Sequence, residues 1–222
     1  MKAVTSEVAR LPLRGGDLAV DFVNTVRDVR TGRGEHLPRP ADLAVWAHHA
    51  GALSDPEYEA VMASTTAEPS QAANLYREAR QLRAAVTRLL TGQGGEADLS
   101  LIDRHRRRAA RSQALWTSAE GFKLEWTEAA DLRLVEARVV GAFVALATSD
   151  RLRRVSQCSG QRCGWLYVDK SPSRRRRWCA MGDCGNRAKV RSFRARQQER
   201  SRIDAGYGVV AREKIRSPNW CQ

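Results

Sequence analysis

Two matched pairs of cysteines constrain this chain more than any other feature. They are Cys158 and Cys163, then Cys179 and Cys184, a C-x4-C spacing repeated across fifteen intervening residues. Pairs joined by a spacer of that length can fold back and set four thiolates at the corners of a tetrahedron, the arrangement Zn2+ takes in structural sites. Glycine follows the second cysteine of each pair, at Gly164 and Gly185. It suits a tight turn, because glycine reaches positive φ without strain. The competing account is four buried or disulfide-bonded cysteines. The first residues contain no apolar run of the secretory kind, so a reducing cytoplasmic setting and thiolate ligation are expected. With cysteine at all four positions no coordination site is left for water, and the expected cofactor is one structural Zn2+.

Charge is distributed unevenly. Residues 1–150 carry a net −1 and residues 151–222 a net +14, which together give the chain's +13. A neutral body with a basic carboxy-terminal third is the electrostatic outline of a nucleic-acid-binding appendage. Offsetting a zinc centre with four thiolate ligands accounts for two of those positive charges and leaves about a dozen. No stretch approaches the ~20 apolar residues of a membrane helix, so no membrane partner is expected.

Apolar spacing predicts a mainly helical amino-terminal domain over 1–150. Leu18, Phe22, Val26 and Val29 recur at helical spacing within 13–29, with Asp21 and Asn24 beside that stripe. These two polar residues either line a ligand pocket or tie down a neighbouring loop. Residues 31–38 read as a Gly/Arg loop without a phosphate-binding pattern. Pro40 opens a helix bearing the adjacent His48 and His49, which point about 100° apart and cannot form a metal pair. Ser54-Asp55-Pro56-Glu57 reads as a capped helix start. Leu75, Ala79, Leu82, Val86 and Leu89 form the core stripe of a helix over 69–90. A further helix over 97–110 ends in the basic run 104–108, suited to the negative end of its dipole. Residues 115–126 read as a β-hairpin with Phe122, Leu124 and Trp126 on a half-buried strand. Thr127 is the expected cap of a last helix, apolar on many sides and therefore central. No Gly/Ser linker separates residue 150 from the first cysteines, so the finger is expected to pack close to the first domain.

In the finger, residues 165–168 read as a strand, 169–173 as a turn and 174–178 as the returning strand, followed by a helix from about Cys184. The order knuckle, hairpin, helix resembles a treble clef. On that helix Arg187, Arg191 and Arg194 share one stripe, and Lys189, Arg196 and Arg200 another, with Val190 and Phe193 expected to pack on the hairpin. Arg174, Arg175, Arg176 and Arg177 lie between the cysteine pairs. These cations are the candidate nucleic-acid contacts; Asn186 reaches a base edge or phosphate, or caps the helix.

Cys184-Gly185-Asn186-Arg187, with Cys163-Gly164-Trp165 and Trp178-Cys179 around it, resembles the signature of CGNR-type zinc fingers. Gly16-Asp17-Leu18-Ala19-Val20-Asp21-Phe22-Val23-Asn24-Thr25 resembles the opening motif of the ABATE domain, which precedes this finger in bacterial proteins described as stress-induced transcription regulators. Phe22 stands where that motif more often has leucine. The resemblance implies a regulator that binds double-stranded DNA.

The expected fold is therefore α+β, mainly α with a small β-hairpin: an α-rich domain over 1–150, a treble-clef-like four-cysteine zinc finger over 151–204 and a tail over 205–222. The leading functional expectation is a zinc-dependent DNA-binding regulator, whose first domain senses a small-molecule effector or forms a homodimer. The alternative is an RNA-binding or protein-interaction adaptor with a purely structural zinc. No nucleophile–base pair, metal triad or phosphate loop points to an enzyme. Cys221 is left over, as a surface thiol.

Overall fold

The computed structural model describes residues 7–161 and 163–213, with side chains as far as Arg202. The chain divides into two compact units, Met1–Cys179 and Ala180–Gln222.

The first unit opens with α1 (Leu18–Val23), capped by the Asp17 carboxylate, which accepts from the Ala19 N–H at 3.0 Å. The helix is much shorter than the stripe over 13–29 suggests. It stops because Asn24 and Thr25 turn the chain: the Thr25 hydroxyl donates back to the Phe22 carbonyl at 2.7 Å. Val26 and Val29 are buried as expected, but from a hairpin rather than a helix. Strand β1 (Val26–Asp28) pairs antiparallel with β2 (Arg33–Glu35), so the supposed loop over 31–38 contains a strand.

Helices α2 (Pro40–His49), α3 (Asp55–Ala67), α4 (Pro69–Leu90) and α5 (Glu96–Arg111) follow. Each start carries a local reason. Pro occupies the first turn of α2, α3 and α4, where its missing N–H leaves no bond unmade. The Glu57 carboxylate accepts from the Ser54 N–H at 2.8 Å, a capping-box contact. Gly92, at φ 72, provides the left-handed residue that ends α4. Both histidines of α2 are satisfied. His48 Nε2 lies 2.7 Å from Asp55 and His49 Nε2 lies 2.9 Å from the Leu11 carbonyl.

Strands β3 (Gln113–Ser118) and β4 (Gly121–Trp126) form the expected hairpin, with Leu115 opposite Leu124 and Thr117 opposite Phe122. Its burial is not as expected. Leu115 is 66%, Leu124 64% and Phe122 75% exposed. The alternation is there, but no layer of the described residues covers the face it creates. Helix α6 (Leu132–Ala147) is capped by Asp131, not Thr127: the Asp131 carboxylate accepts from the Arg133 N–H at 2.8 Å. It packs against α1, α2, α4 and α5 and is buried on several sides, so it is the central helix of the unit. Phe22 and Trp46 meet with ring centroids 5.2 Å apart.

The basic run at the end of α5 is held by acids, not only by the helix dipole. Arg106 and Arg107 both reach Asp103, at 2.7 and 2.6 Å. Arg108 pairs with Glu78 at 2.7 Å and with buried Glu136, which also meets His105 at 3.1 Å.

A 3-10 turn (Asp150–Arg154) leads into β5 (Val155–Gln157), which pairs antiparallel with β6 (Leu166–Val168). This pairing differs from the expected one. Strand β6 pairs with the segment before the first cysteine, and residues 174–178 form no strand. Side chains hold that returning segment: the Arg176 N–H donates to the Asp169 carboxylate at 3.1 Å, and the Tyr167 hydroxyl donates to the Arg176 carbonyl.

The described part of the second unit is a π turn (Met181–Gly185) running into α7 (Asn186–Glu213). The helix continues beyond residue 204, into the stretch read as a tail. Cys221 lies outside the described residues. Val190 and Phe193, expected to pack on the hairpin, are 48% and 55% exposed. Among the described residues no helix is long and apolar enough to cross a membrane.

Candidate metal centre

All four paired cysteines are buried, and their sulfur atoms lie within 4.8 Å of one another. The Cys163 and Cys179 sulfurs are 3.6 Å apart. A tetrahedron of Zn–S bonds near 2.3 Å has sulfur–sulfur edges of about 3.8 Å, so the four sulfurs are gathered to within about 1 Å of the spacing that ion requires. Cysteine binds zinc as the thiolate, and a divalent ion is what makes four buried thiolates at this spacing mutually compatible.

The first pair is shaped by local turns. The Gly160 N–H points at the Cys158 sulfur at 3.4 Å. Gly164 has φ 68, and a β-carbon there would stand 2.7 Å from Arg30 Cγ, so both conformation and space require glycine. Gly185 differs from the expectation. It is not among the residues at positive φ; it ends the π turn, its N–H donating to the Ala180 carbonyl at 3.2 Å.

The knuckle is tied to the opening of the chain. The Asn24 amide donates to the Leu166 carbonyl at 2.8 Å and accepts from the Leu166 N–H at 2.9 Å, so one side chain extends the edge of β6. The Trp165 indole donates to the Val26 carbonyl at 2.7 Å. The Val29 N–H donates to the Cys163 carbonyl at 3.3 Å, and the Val168 N–H to the Gly15 carbonyl at 2.8 Å. Arg30 donates to the Gly160 carbonyl at 2.8 Å and to the Cys158 carbonyl. Asp21, the other motif residue, accepts from the Gly15 N–H at 2.7 Å, and burial pushes its carboxyl up to about 6. Both polar residues weighed as pocket or tie thus have backbone partners. Arg30 carries no sequence signal for its contribution, since nothing in its neighbourhood marks it as a carbonyl clamp.

The CGNR residues gather at the last cysteine. Asn186 donates to the Gly182 carbonyl at 3.2 Å. Arg187 donates to the Cys184 sulfur at 3.1 Å and pairs with Asp183 at 3.0 Å. A guanidinium against a thiolate offsets part of the negative charge of the centre and orients the ligand. Arg176 is similarly engaged, donating to the Trp178 carbonyl at 2.8 Å and to the Cys179 carbonyl while lying 4.3 Å from the Tyr167 ring centroid. Arg177 stands over Trp178 at 5.6 Å. Arg174 and Arg175 are exposed, with Arg174 at φ 50. Lys189, Arg191, Arg194 and Arg196 are all exposed on α7.

A helical domain joined to a buried four-cysteine centre defines a zinc-finger protein carrying one structural Zn2+. Residues 154–197 match the CGNR zinc finger, and residues 16–150 match the ABATE model, described as "Putative stress-induced transcription regulator". The second match spans more than half of the chain, which therefore belongs to the ABATE family. No curated protein matches it.

Proposed function

We propose that this protein is a zinc-dependent transcription regulator that binds double-stranded DNA through its second unit, the first domain, residues 1–150, sensing a small molecule or mediating assembly. The finger, on this reading, spans 151–204. The observation that carries it is the surface of α7. From Asn186 to Arg202 every side chain but the half-buried Ala188 is exposed, and the segment holds seven Lys or Arg residues against Glu199 alone. A helix exposed all round, with Val190 and Phe193 its only large apolar side chains from 186 to 202, gains little from a core of its own. Cations around its circumference suit a rod lying between the phosphate walls of a major groove.

The RNA adaptor reading would use Trp165 and Tyr167 as stacking platforms. Both rings are buried, and their polar atoms donate to the Val26 and Arg176 carbonyls. Their placement favours DNA. The proposed role has no catalytic step, because four thiolates leave the metal no position for water.

The test is a titration of zinc-loaded protein with duplex DNA at several salt concentrations, against single-stranded RNA and an acidic protein as competitors. Log affinity should fall linearly with log salt, at about −0.9 per phosphate neutralised. Salt-indifferent binding, or preference for either competitor, rejects the reading. Selection from random DNA with Cys179→Ser as control then gives the recognised sequence.

A further inference from the structure

A cleft of about 500 Å3 opens in the first unit between α4 and the turn of the β1–β2 hairpin. That lies within the size range of small-molecule sites. Arg77, Arg80, Arg83 and Arg88 line it, and among the described residues no carboxylate does. The acids just outside are too few to neutralise them. Glu35 engages Arg83 through both oxygens and lies 3.7 Å from Arg80. Asp98 takes Arg88 at 2.5 Å. Among the described residues Arg77 donates only to the neutral Asn74 amide, at 3.1 Å. Two carboxylates among four guanidiniums leave about two positive charges at a concave surface, where low-dielectric walls concentrate their field. Residues 1–150, which contain it, carry a net −1, so the excess is local.

The opposite wall is apolar and leads elsewhere. Val26 and Val29 line the cleft. The Val26 carbonyl accepts from Trp165, and the Val29 N–H donates to the Cys163 carbonyl. The next residue, Arg30, clamps the Cys158 and Gly160 carbonyls. One strand thus serves as a wall of the cleft and as a support of the first cysteine pair. Guanidiniums on one side and valines on the other suit an ion with two negative charges and a short carbon skeleton.

The geometry points to a binding site for a small organic dianion, a dicarboxylate or a phosphate ester, whose occupancy is transmitted through β1 to the Cys158–Cys163 knuckle. This deepens the sensing half of the proposed function and does not depend on DNA binding. Arg77 and Arg80 supply the charge that selects the ligand, while Arg83, tied to Thr25 at 2.6 Å and to Glu35, keeps the wall in place.

The experiment uses the full zinc-loaded chain, with succinate and glycerol 3-phosphate as probes. Calorimetry measures binding, and hydrogen exchange follows peptides covering 26–32 and 158–168. At least one probe should bind one-to-one and protect both peptides. Arg77→Gln and Arg80→Gln should each weaken that binding at least about tenfold, the scale of one charge-assisted hydrogen bond. Ala84→Leu fills the cleft without touching its charge and should do the same, so the outcome does not hang on one variant folding. Failure of both probes, or binding that ignores all three variants, overturns the site. Protection confined to 26–32 overturns transmission to the knuckle. A drop in duplex-DNA affinity in the arginine variants, with neither probe bound, reassigns the cleft to a nucleic-acid backbone and overturns the proposal. Loss of DNA binding with dianion binding intact rejects the regulator reading and leaves this one standing.

Discussion

Asn24 and Leu166, 142 residues apart, are joined by two hydrogen bonds in which one side-chain amide pairs with strand β6 as a residue of a neighbouring strand would. Asn24 is 1% exposed, so neither bond has water as a substitute. Replacing it by alanine strands a buried donor and a buried acceptor of Leu166. Asn24→Ala should therefore cost about 3 kcal/mol, from two unmade bonds at about 1–3 kcal/mol each. Urea unfolding of the zinc-loaded protein measures it. Asn24→Asp should be at least as damaging, since a carboxylate cannot donate to the Leu166 carbonyl. If Asn24 instead serves a ligand alone, stability will stay within experimental error.

Asp21 makes a pH prediction with a definite sign. Its carboxyl is pushed up to about 6 by burial, against an ordinary value of 3.8. The unfolded chain therefore releases this proton at lower pH than the folded chain does. Stability from this group is complete below about pH 4, declines as pH rises to about 6, and stays reduced above it. The full difference is about 3 kcal/mol. Asp21→Asn removes the ionisation and leaves an oxygen to accept from Gly15. Thermal unfolding of the variant should show a higher midpoint than the parent at pH 7.5, and the gap should close toward pH 4.

The balance between what the sequence discloses and what it hides follows from range. The metal ligands, the helix starts and the core stripe of α4 depend on spacings within one or two turns, so Cys158 through Cys184, Ser54 and Leu82 can be read directly. Strand β6 is visible, but its partner is not. The apolar and aromatic residues at 165–168 suit any neighbouring strand; Asn24 and Gly15, far away in sequence, take one edge of β6, and 155–157 takes the other while side chains hold 174–178 apart. The end of α1 is hidden for the same reason, because Val26 and Val29 keep helical spacing while serving a hairpin. Arg187 is marked by the Cys184-Gly185-Asn186-Arg187 motif, but its helical spacing groups it with Arg191 and Arg194; only the fold sets it on a sulfur.

That contact separates Arg187 from its neighbours. Its guanidinium donates to Cys184 and pairs with Asp183. Arg187→Ala should keep zinc stoichiometry but weaken zinc affinity by about 10–100-fold, the usual consequence of removing a group that orients a metal ligand. Arg187→Lys should restore part of it through charge alone. Competition with a chromogenic chelator reads both. Cys184→Ser should lose the metal outright, and circular dichroism should report unfolding around it. Unchanged zinc affinity in Arg187→Ala would assign this arginine to external contacts only.

The bare face of the β3–β4 hairpin gives a test of assembly. Leu115, Leu124 and Phe122 are mostly exposed and add little to the stability of a lone chain. In a monomer, Phe122→Ser with Leu124→Thr should shift stability by no more than about 0.5 kcal/mol. In a homodimer built on this face, the same change lowers the melting temperature and abolishes its dependence on protein concentration. Sedimentation of parent and variant distinguishes the two.

The sharpest residue-level test of DNA binding compares cations of different standing. Arg191 and Arg194 are exposed on α7, and among the described residues neither has an ion-pair partner. If they neutralise phosphates, Arg191→Gln with Arg194→Gln should reduce the salt slope by about 1.8, or about 0.9 for each contact. Zinc content and melting temperature should not change, because neither side chain holds anything in the fold. Arg176 should behave in the opposite way. It bonds the Trp178 and Cys179 carbonyls and covers the Tyr167 ring, so Arg176→Ala removes support from the loop bearing the third ligand. That variant should lose stability and bind zinc less tightly while the salt slope of its metal-loaded fraction stays near the parent value. Fluorescence anisotropy across a salt series, with zinc quantified in each sample, measures both. Equal slope losses in the two variants would mean that position on α7 confers no special access to phosphate, and the helix would lose its claim to the groove.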